Sequence, residues 1–403
     1  MNARKRRRGS LQIVVDIALA FGLVAALAVV FALDRGSPPA EAPADGGQLE
    51  VVEQPKAEPA PVRRLRLGVT PDGQAFDDMG RLLDSLGEGY RYQKFPLEDL
   101  LDKNKMAEFD VIFLTCSGVP ASWLGRKIGK GDRPGTDVYE PNEEKLARVY
   151  ESLRQFVSRG GTLYASDLHY KLVAAAFTEY ARRADAETGS ADQSVNAQVV
   201  DPGLKELIGG EMPLKFDMEG WYPAAFAGEK LITYLRGNYR TQQGQQRDAA
   251  FLVKFPYHDG TVIFTSFHNE KQNSETELKL LRYLVFSAVT AEVESRVQRT
   301  MVRGGFSPAK QNLFSASAGA PSATTVYHAD KAGHLQFALG LQNLGARLKL
   351  TVKSPGGKVL EQEGDSTLTI DVPDAEAGDW QYTVTAIKLP NENFPFTVTV
   401  GQK

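Results

Sequence analysis

The sequence predicts a mixed α/β protein: a doubly wound, mostly parallel sheet, preceded by one transmembrane helix and followed by an antiparallel β-sandwich. Three observations carry this expectation. Residues 11–33 form an apolar run with a single charge, Asp16. Between residues 65 and 290, short apolar runs of strand type alternate with helical patterns of 3–4 spacing, the signature of a parallel sheet with helices on both faces. From residue 326 onward the period drops to two, with turn signals between the runs and no helical stretch.

At 403 residues the chain is long enough for two or three folded units, and 42% hydrophobic residues suffice for buried cores. Net charge is −3, but Arg4, Lys5, Arg6, Arg7 and Arg8 crowd five positive charges into the first ten residues; subtracting them leaves −8 for the rest. An acidic body argues against a nucleic-acid partner, which would require a clustered basic face. Cys116 is the single cysteine, so neither an intrachain disulfide nor a cysteine-rich zinc site can form. The five histidines (His169, His258, His268, His328, His334) lack ligand spacing, so no metal and no cofactor is expected.

The first element is the basic tail, residues 1–10, followed by the apolar run 11–33. At 1.5 Å per residue that run spans roughly 34 Å, enough to cross a ~30 Å hydrocarbon core. A cleavable signal peptide has a shorter apolar region ending in an A-x-A-like site; this one ends in Phe-Ala-Leu-Asp-Arg. The basic tail predicts a cytoplasmic N-terminus, making the chain a single-pass membrane protein with its bulk periplasmic or extracellular. Residues 34–64, rich in Pro, Ala, Gly and Glu (GSPPAEAPADGG), read as a disordered tether.

The α/β domain is expected over residues 65–290. Residues 65–69 (LRLGV) and 111–115 (VIFLT) read as buried strands, 90–95 as a weaker one, and 76–86 as a helix. Asn142 caps a helix whose Leu146, Val149, Tyr150, Leu153, Phe156 and Val157 fall on one face before Gly160-Gly161 ends it. Residues 162–165 (TLYA) form the next strand; 231–235, 249–255 and 261–267 follow, the last closing the sheet. Residues 184–196 read as a polar excursion, and 216–226 (FDMEGWYPAAF) as a packed loop or a ligand contact through Trp221. Ser274 and Glu277 make a capping box ahead of Leu278, Leu281, Leu284 and Val285. Ligand sites in such sheets lie at the carboxyl ends of strands, here 116–118, 166–169 and 268–270.

These residues resemble the class I glutamine amidotransferase-like superfamily, in particular its ThuA-like branch, whose sheet is flavodoxin-like. Phe267-His268-Asn269-Glu270 is similar to the family's F-H-P-E motif, and Leu280-Leu281-Arg282-Tyr283-Leu284 to the helix behind it. Tyr164-Ala165-Ser166-Asp167-Leu168-His169 aligns with the nucleophile elbow, placing Ser166 as nucleophile, while Cys116-Ser117-Gly118 matches the loop that supplies oxyanion donors. The resemblance implies a triad of Ser166, His268 and Glu270, with Cys116, Ser117, Gly118, Asp167, His169 and Trp221 as further pocket residues. The sequence departs from the pattern where it matters. An elbow needs small residues two before and two after the nucleophile, and Tyr164 and Leu168 stand there; a serine also cannot provide the thiolate that amidotransferase chemistry uses.

Residues 291–325 read as a helix end and a Ser/Ala/Gly linker. Over 326–403, five runs alternate: 334–341, 347–353, 366–372, 380–387 and 394–400. Ala377-Gly378-Asp379-Trp380 with Val384 resembles the closing strand of Ig-like or pre-peptidase C-terminal β-domains, which implies adhesion or intramolecular docking; a protein partner in the cell envelope is expected for the chain. The expected function is a membrane-anchored, extracytoplasmic binding or scaffolding protein with a degenerate, non-catalytic α/β domain. The competing expectations are an envelope hydrolase of amide or ester bonds using Ser166, His268 and Glu270, and a carbohydrate-binding module.

Overall fold

A computed structural model describes residues 65–403 except 72–76, 131–136, 182–186, 191, 321 and 343–344. The basic tail, the apolar run and the tether of residues 34–64 lie outside the described residues. Among the described residues no helix is long and apolar enough to cross a membrane.

The first half runs β1 (Leu67–Val69), α1 (Met79–Leu86), β2 (Tyr92–Lys94), α2 (Lys103–Met106), β3 (Val111–Leu114), β4 (Leu124–Lys130), β5 (Asp137–Pro141), α3 (Glu143–Ser158), β6 (Thr162–Ser166) and α4 (Tyr170–Ala176). It continues with β7 (Gln193–Val199), α5 (Pro202–Ile208), β8 (Glu211–Phe216), β9 (Ile232–Arg240), β10 (Gln246–Tyr257), β11 (Gly260–Thr265) and α6 (Glu275–Arg303). Nine of these strands form one sheet in the order β2-β1-β3-β6-β11-β10-β9-β7-β8. Neighbours from β2 to β11 are parallel, and those beyond β11 are antiparallel. The parallel strands thus follow the 2-1-3-4-5 order of doubly wound sheets, whose direction reverses between the first and third strands. That reversal puts the carboxyl ends of β1 and β3 at the topological switch point of the sheet.

The alternation of the strands sorts side chains onto two faces. Leu67, Val69, Val111, Phe113, Tyr164 and Ile263 pack with α1 and α6. Ile112, Leu114, Leu163, Ala165, Val262 and Phe264 pack with α3 and α4. The helices begin where the sequence places caps: the Asn142 side chain accepts from Lys145 N–H at the start of α3. At α6 both halves of the Ser274–Glu277 capping box are made.

Two expectations need correction. Residues 261–267 do not close the sheet: β11 sits at its centre, and four antiparallel strands continue beyond it. Part of that extension, β7, falls in the stretch read as a polar excursion. Its alternate residues are exposed and its buried face offers only Val195, Ala197 and Val199, so it lacks the apolar density of a central strand. Its neighbour β8 carries Pro213, which is tolerated because β8 is the edge.

The second correction concerns the linker. Residues 307–316 form β12 (Ser307–Ala316), which pairs with the last strand of the chain. After it come β13 (Ala323–Ala329), β14 (Gly333–Gly340), β15 (Arg347–Lys353), β16 (Val359–Gly364), β17 (Leu368–Ala375), β18 (Gly378–Lys388) and β19 (Phe394–Gln402). They make two four-stranded antiparallel sheets, β12-β19-β14-β17 and β13-β18-β15-β16, around Phe337, Leu339, Leu348, Leu350, Trp380, Tyr382, Phe396 and Val398. The five alternating runs of the sequence are β14, β15, β17, β18 and β19.

Helix α6 is 29 residues long and belongs to both halves. Leu280, Leu281, Leu284 and Val285 pack into the nine-stranded sheet, whereas Val293, Val297 and Met301 pack with Phe306 and Ala338 of the sandwich. Polar contacts reinforce the junction. Tyr90 donates its hydroxyl to the Asn393 carbonyl at 2.5 Å, and Glu206 receives Lys310 at 2.7 Å and the Asn312 amide at 3.0 Å. On the sheet side, Lys254 of β10 reaches Glu294 of α6 at 2.7 Å, and both side chains are buried.

Candidate functional site

The carboxyl ends of β1, β3, β6 and β11 converge on a buried polar cluster. Its base is Asp77, fully buried just ahead of α1. One carboxylate oxygen accepts the Asn269 N–H at 3.1 Å; the other accepts the Cys116 N–H at 3.3 Å and the Ser166 hydroxyl. A single side chain therefore joins the loops that follow β1, β3, β6 and β11. Burial pushes the Asp77 carboxyl above its usual range, and His268, Ser166 and the two backbone N–H groups only partly offset that. Beside it, Thr70 and Thr115 tie β1 to β3 through a 2.8 Å hydroxyl–hydroxyl bond.

The left-handed turn lies one residue beyond Ser166, the position that the resemblance gives to the nucleophile. Ser166 is the last residue of β6, with extended backbone (φ −129°, ψ 147°), and its hydroxyl is committed to Asp77. The left-handed residue is Asp167, at φ 42°, the first residue of the 3-10 turn Asp167–His169 that leads into α4. Such a conformation costs a non-glycine residue free energy, and Asp tolerates it better than most. The residues two before and two after Asp167 are Ala165 and His169, not Tyr164 and Leu168. Tyr164 faces the other side of the sheet and bonds Thr265 at 3.0 Å, and Leu168 is partly exposed. Ala165 is small but His169 is not, so the departure from the elbow pattern moves to His169.

The Asp167 carboxylate is the hub of the upper cluster. Its Oδ1 accepts the Tyr222 N–H at 2.9 Å. Its Oδ2 accepts the Cys116 thiol at 3.4 Å and meets His268 Nε2 at 3.1 Å. The other ring nitrogen, Nδ1, lies 3.0 Å from Asp217 Oδ1. Burial would lower the His268 pKa, but Asp167 and Cys116 outweigh it and push it up to about 11. Burial raises the Cys116 thiol pKa, with only partial relief from His268, so the sulfur keeps its proton at neutral pH.

The expected triad is not assembled. Ser166 serves Asp77, and Glu270 turns outward to Arg81, Oε1 to Nη1 3.1 Å. The carboxylates that orient His268 are Asp217 and Asp167. The loop expected to offer oxyanion donors spends its first N–H, that of Cys116, on Asp77, while Ser117 and Gly118 lie towards the surface. His169 packs beneath that loop, Nε2 to the Thr115 carbonyl 2.8 Å. Trp221 is no sugar platform: it is buried, stacked on Phe216 with centroids 3.7 Å apart, and donates to the Ser190 carbonyl. Residues 216–226 instead bring Asp217 and the Tyr222 N–H to the cluster. Asp77 and Asp217 escaped the sequence reading; for Asp217 the signal available was the acidic pair in that loop.

No family model matches the chain, and no curated protein does. Among solved structures it is similar to cytoplasmic protein STM1381 of Salmonella typhimurium LT2 at 14% identity and TM-score 0.34, covering 55% of this chain and 96% of that one. A second cytoplasmic protein of Salmonella typhimurium, STM3548, gives 14% identity and TM-score 0.30, covering 54% and 98%. Gan42B, a GH42 β-galactosidase, gives 11% and TM-score 0.25, covering 80% and 40%. At these TM-scores the likenesses carry neither fold nor function across.

Proposed function

We propose that this chain is a membrane-tethered, extracytoplasmic binding or scaffolding protein whose amidotransferase-like domain performs no serine- or thiol-based hydrolysis. The observation that carries the reading is the carboxylate at the elbow. Asp167 occupies the strained position where the family's nucleophile would stand, and its oxygens are engaged by Tyr222, Cys116 and His268. Ser166 is tied to Asp77, and the Cys116 thiol is held protonated by burial. Neither nucleophile meets the requirement of an activated oxygen or sulfur beside free backbone donors. The tether rests on residues 1–64: a basic tail, an apolar run of spanning length and a Pro/Ala-rich spacer. The sandwich, fused to the α/β domain through α6, is the surface offered to a protein partner in the envelope.

The test is a serine- and cysteine-reactive probe pair applied to the full-length chain, with ester and glutamine hydrolysis assayed alongside. No labelling and no turnover are expected. Turnover abolished by Ser166→Ala or Cys116→Ala overturns the reading. Placement is checked separately by protease added outside intact spheroplasts: a C-terminal epitope is digested if the bulk is extracytoplasmic and protected if it is not.

A further inference from the structure

Three side chains in the cluster have the character of metal ligands, and they come from three separate strand ends: Cys116 after β3, Asp167 after β6 and His268 after β11. Their donor atoms, Sγ, a carboxylate oxygen and a ring nitrogen, all lie within 4.8 Å of one another, and all three residues are buried. The distances suit a small tetrahedral ion. Zinc bonds of about 2.3 Å to sulfur and about 2.1 Å to nitrogen and oxygen give tetrahedral edges of roughly 3.6 Å for S···O and roughly 3.4 Å for N···O. The corresponding separations here are 3.4 Å and 3.1 Å, and both edges share the same vertex, Asp167 Oδ2. An expansion of a few tenths of an ångström admits the ion.

The surroundings fit as well. Asp217 sits 3.0 Å from His268 Nδ1, the carboxylate–histidine arrangement that fixes the tautomer of a ligating imidazole and leaves Nε2 to the metal. The cluster also gathers three carboxyl side chains, Asp77, Asp167 and Asp217, about the one imidazole, a donor set suited to a cation. Next to His268 in the chain, Asn269 also buries its Oδ1, an acceptor without a hydrogen-bond partner, to which a metal-bound water would donate.

We propose that Cys116, Asp167 and His268 bind one divalent transition-metal ion, Zn²⁺ by ligand character, with Asp217 holding the histidine from behind. The mixed sulfur, nitrogen and oxygen set suits a borderline-soft ion and disfavours Mg²⁺ or Ca²⁺, which take all-oxygen shells. Binding releases the thiol proton and the Nε2 proton to solvent, while His268 keeps its Nδ1 proton, donated to Asp217. One thiolate and one carboxylate then neutralise the dication. Three protein ligands leave a fourth position for water. This site is independent of the scaffolding reading: a structural ion is compatible with a chain that hydrolyses nothing, and the two tests read different quantities.

The experiment uses the full-length chain, stripped with chelator and shown to be folded by circular dichroism. Equilibrium dialysis against Zn²⁺ is expected to give one ion per chain, and Co²⁺ to give a thiolate-to-metal charge-transfer band in the near-ultraviolet. Cys116→Ser is expected to abolish that band and to weaken Zn²⁺ binding at least 100-fold. Asp217→Asn, which spares every ligand, is expected to keep the stoichiometry while weakening affinity by about 10- to 100-fold. His328→Gln, in the sandwich, is the control and changes nothing. No ion retained by folded wild-type chain, a Co²⁺ complex without the thiolate band, or affinity unmoved in Cys116→Ser overturns the proposal.

Discussion

Removing one partner of the buried Lys254–Glu294 pair is predicted to cost more than removing both. The ammonium and carboxylate are 2.7 Å apart, both side chains are below a tenth exposed, and Lys254 Nζ also lies 5.7 Å from the centre of the Tyr234 ring. Burial alone would lower the Lys254 pKa, but Glu294, with Tyr283 and Asp201, raises it net, so the ammonium keeps its proton throughout the ordinary pH range. Lys254→Met strands the Glu294 carboxylate in a site it shares with Asp201, and a loss of about 3–5 kcal/mol is expected. Glu294→Leu leaves the ammonium with Asp201 and the Tyr234 ring face, so its loss should fall at the low end of that range. The double variant Lys254→Met/Glu294→Leu removes both charges and keeps the volume; its stability should lie within about 2 kcal/mol of wild type. Urea unfolding at one pH gives all four corners of the cycle, with an expected coupling of at least about 4 kcal/mol. Additivity to within about 0.5 kcal/mol would refute the reasoning, because it would mean that neither charge depends on the other for its solvation.

Three further outcomes follow from the same structure. Asp167→Gly relaxes the left-handed backbone but deprives the Tyr222 N–H and His268 of their acceptor; the net loss is expected at about 1–3 kcal/mol in thermal unfolding, and a stabilised variant would contradict the hub role. Gly260→Ala places a methyl group 2.1 Å from the Val157 carbonyl oxygen and 2.3 Å from that of Gly161, so a loss of at least about 3 kcal/mol or failure to fold is expected, read as soluble yield and unfolding midpoint. In the metal-free chain, His268 has a pKa of about 11 when folded against about 6.5 when unfolded. Its stabilisation is therefore complete below pH 6.5 and is lost as pH rises towards 11, with a slope of at most about 1.4 kcal/mol per unit. His268→Gln should flatten that slope in unfolding curves collected from pH 6 to 9; an unchanged slope assigns it to other groups.

What the sequence shows of this fold is local in origin. The Ser274–Glu277 capping box, the Asn142 cap and the buried runs VIFL and TLYAS are where their residues place them, because each depends on neighbours a few positions away. The same holds for the carboxyl strand ends, so Cys116, Asp167 and His268 could all be singled out. Their roles could not. Whether strand β6 ends at residue 165 or 166 decides which residue takes the left-handed turn, and no side-chain pattern marks that difference: the sequence points to Ser166, whereas the turn is at Asp167. Asp77 and Asp217 reach their partners across 39 and 51 residues of chain, brought there by crossovers that single-sequence periodicity does not encode. For the same reason the scattered histidines gave no hint of a ligand cluster.

The sharing of α6 between the two halves bears on how such a chain can be taken apart and how it arises. A cut after residue 290 leaves Val293, Val297 and Met301 with the sandwich but without the helix that presents them; a cut after residue 303 leaves those side chains on the sheet domain, facing water. Neither fragment inherits a finished surface. The sandwich therefore cannot be traded for another appended module as a bead is exchanged on a string, since any replacement must fit the far end of a helix rooted in the first domain. An exchange at this boundary has to supply a partner for Val293, Val297 and Met301 as well as a new sandwich.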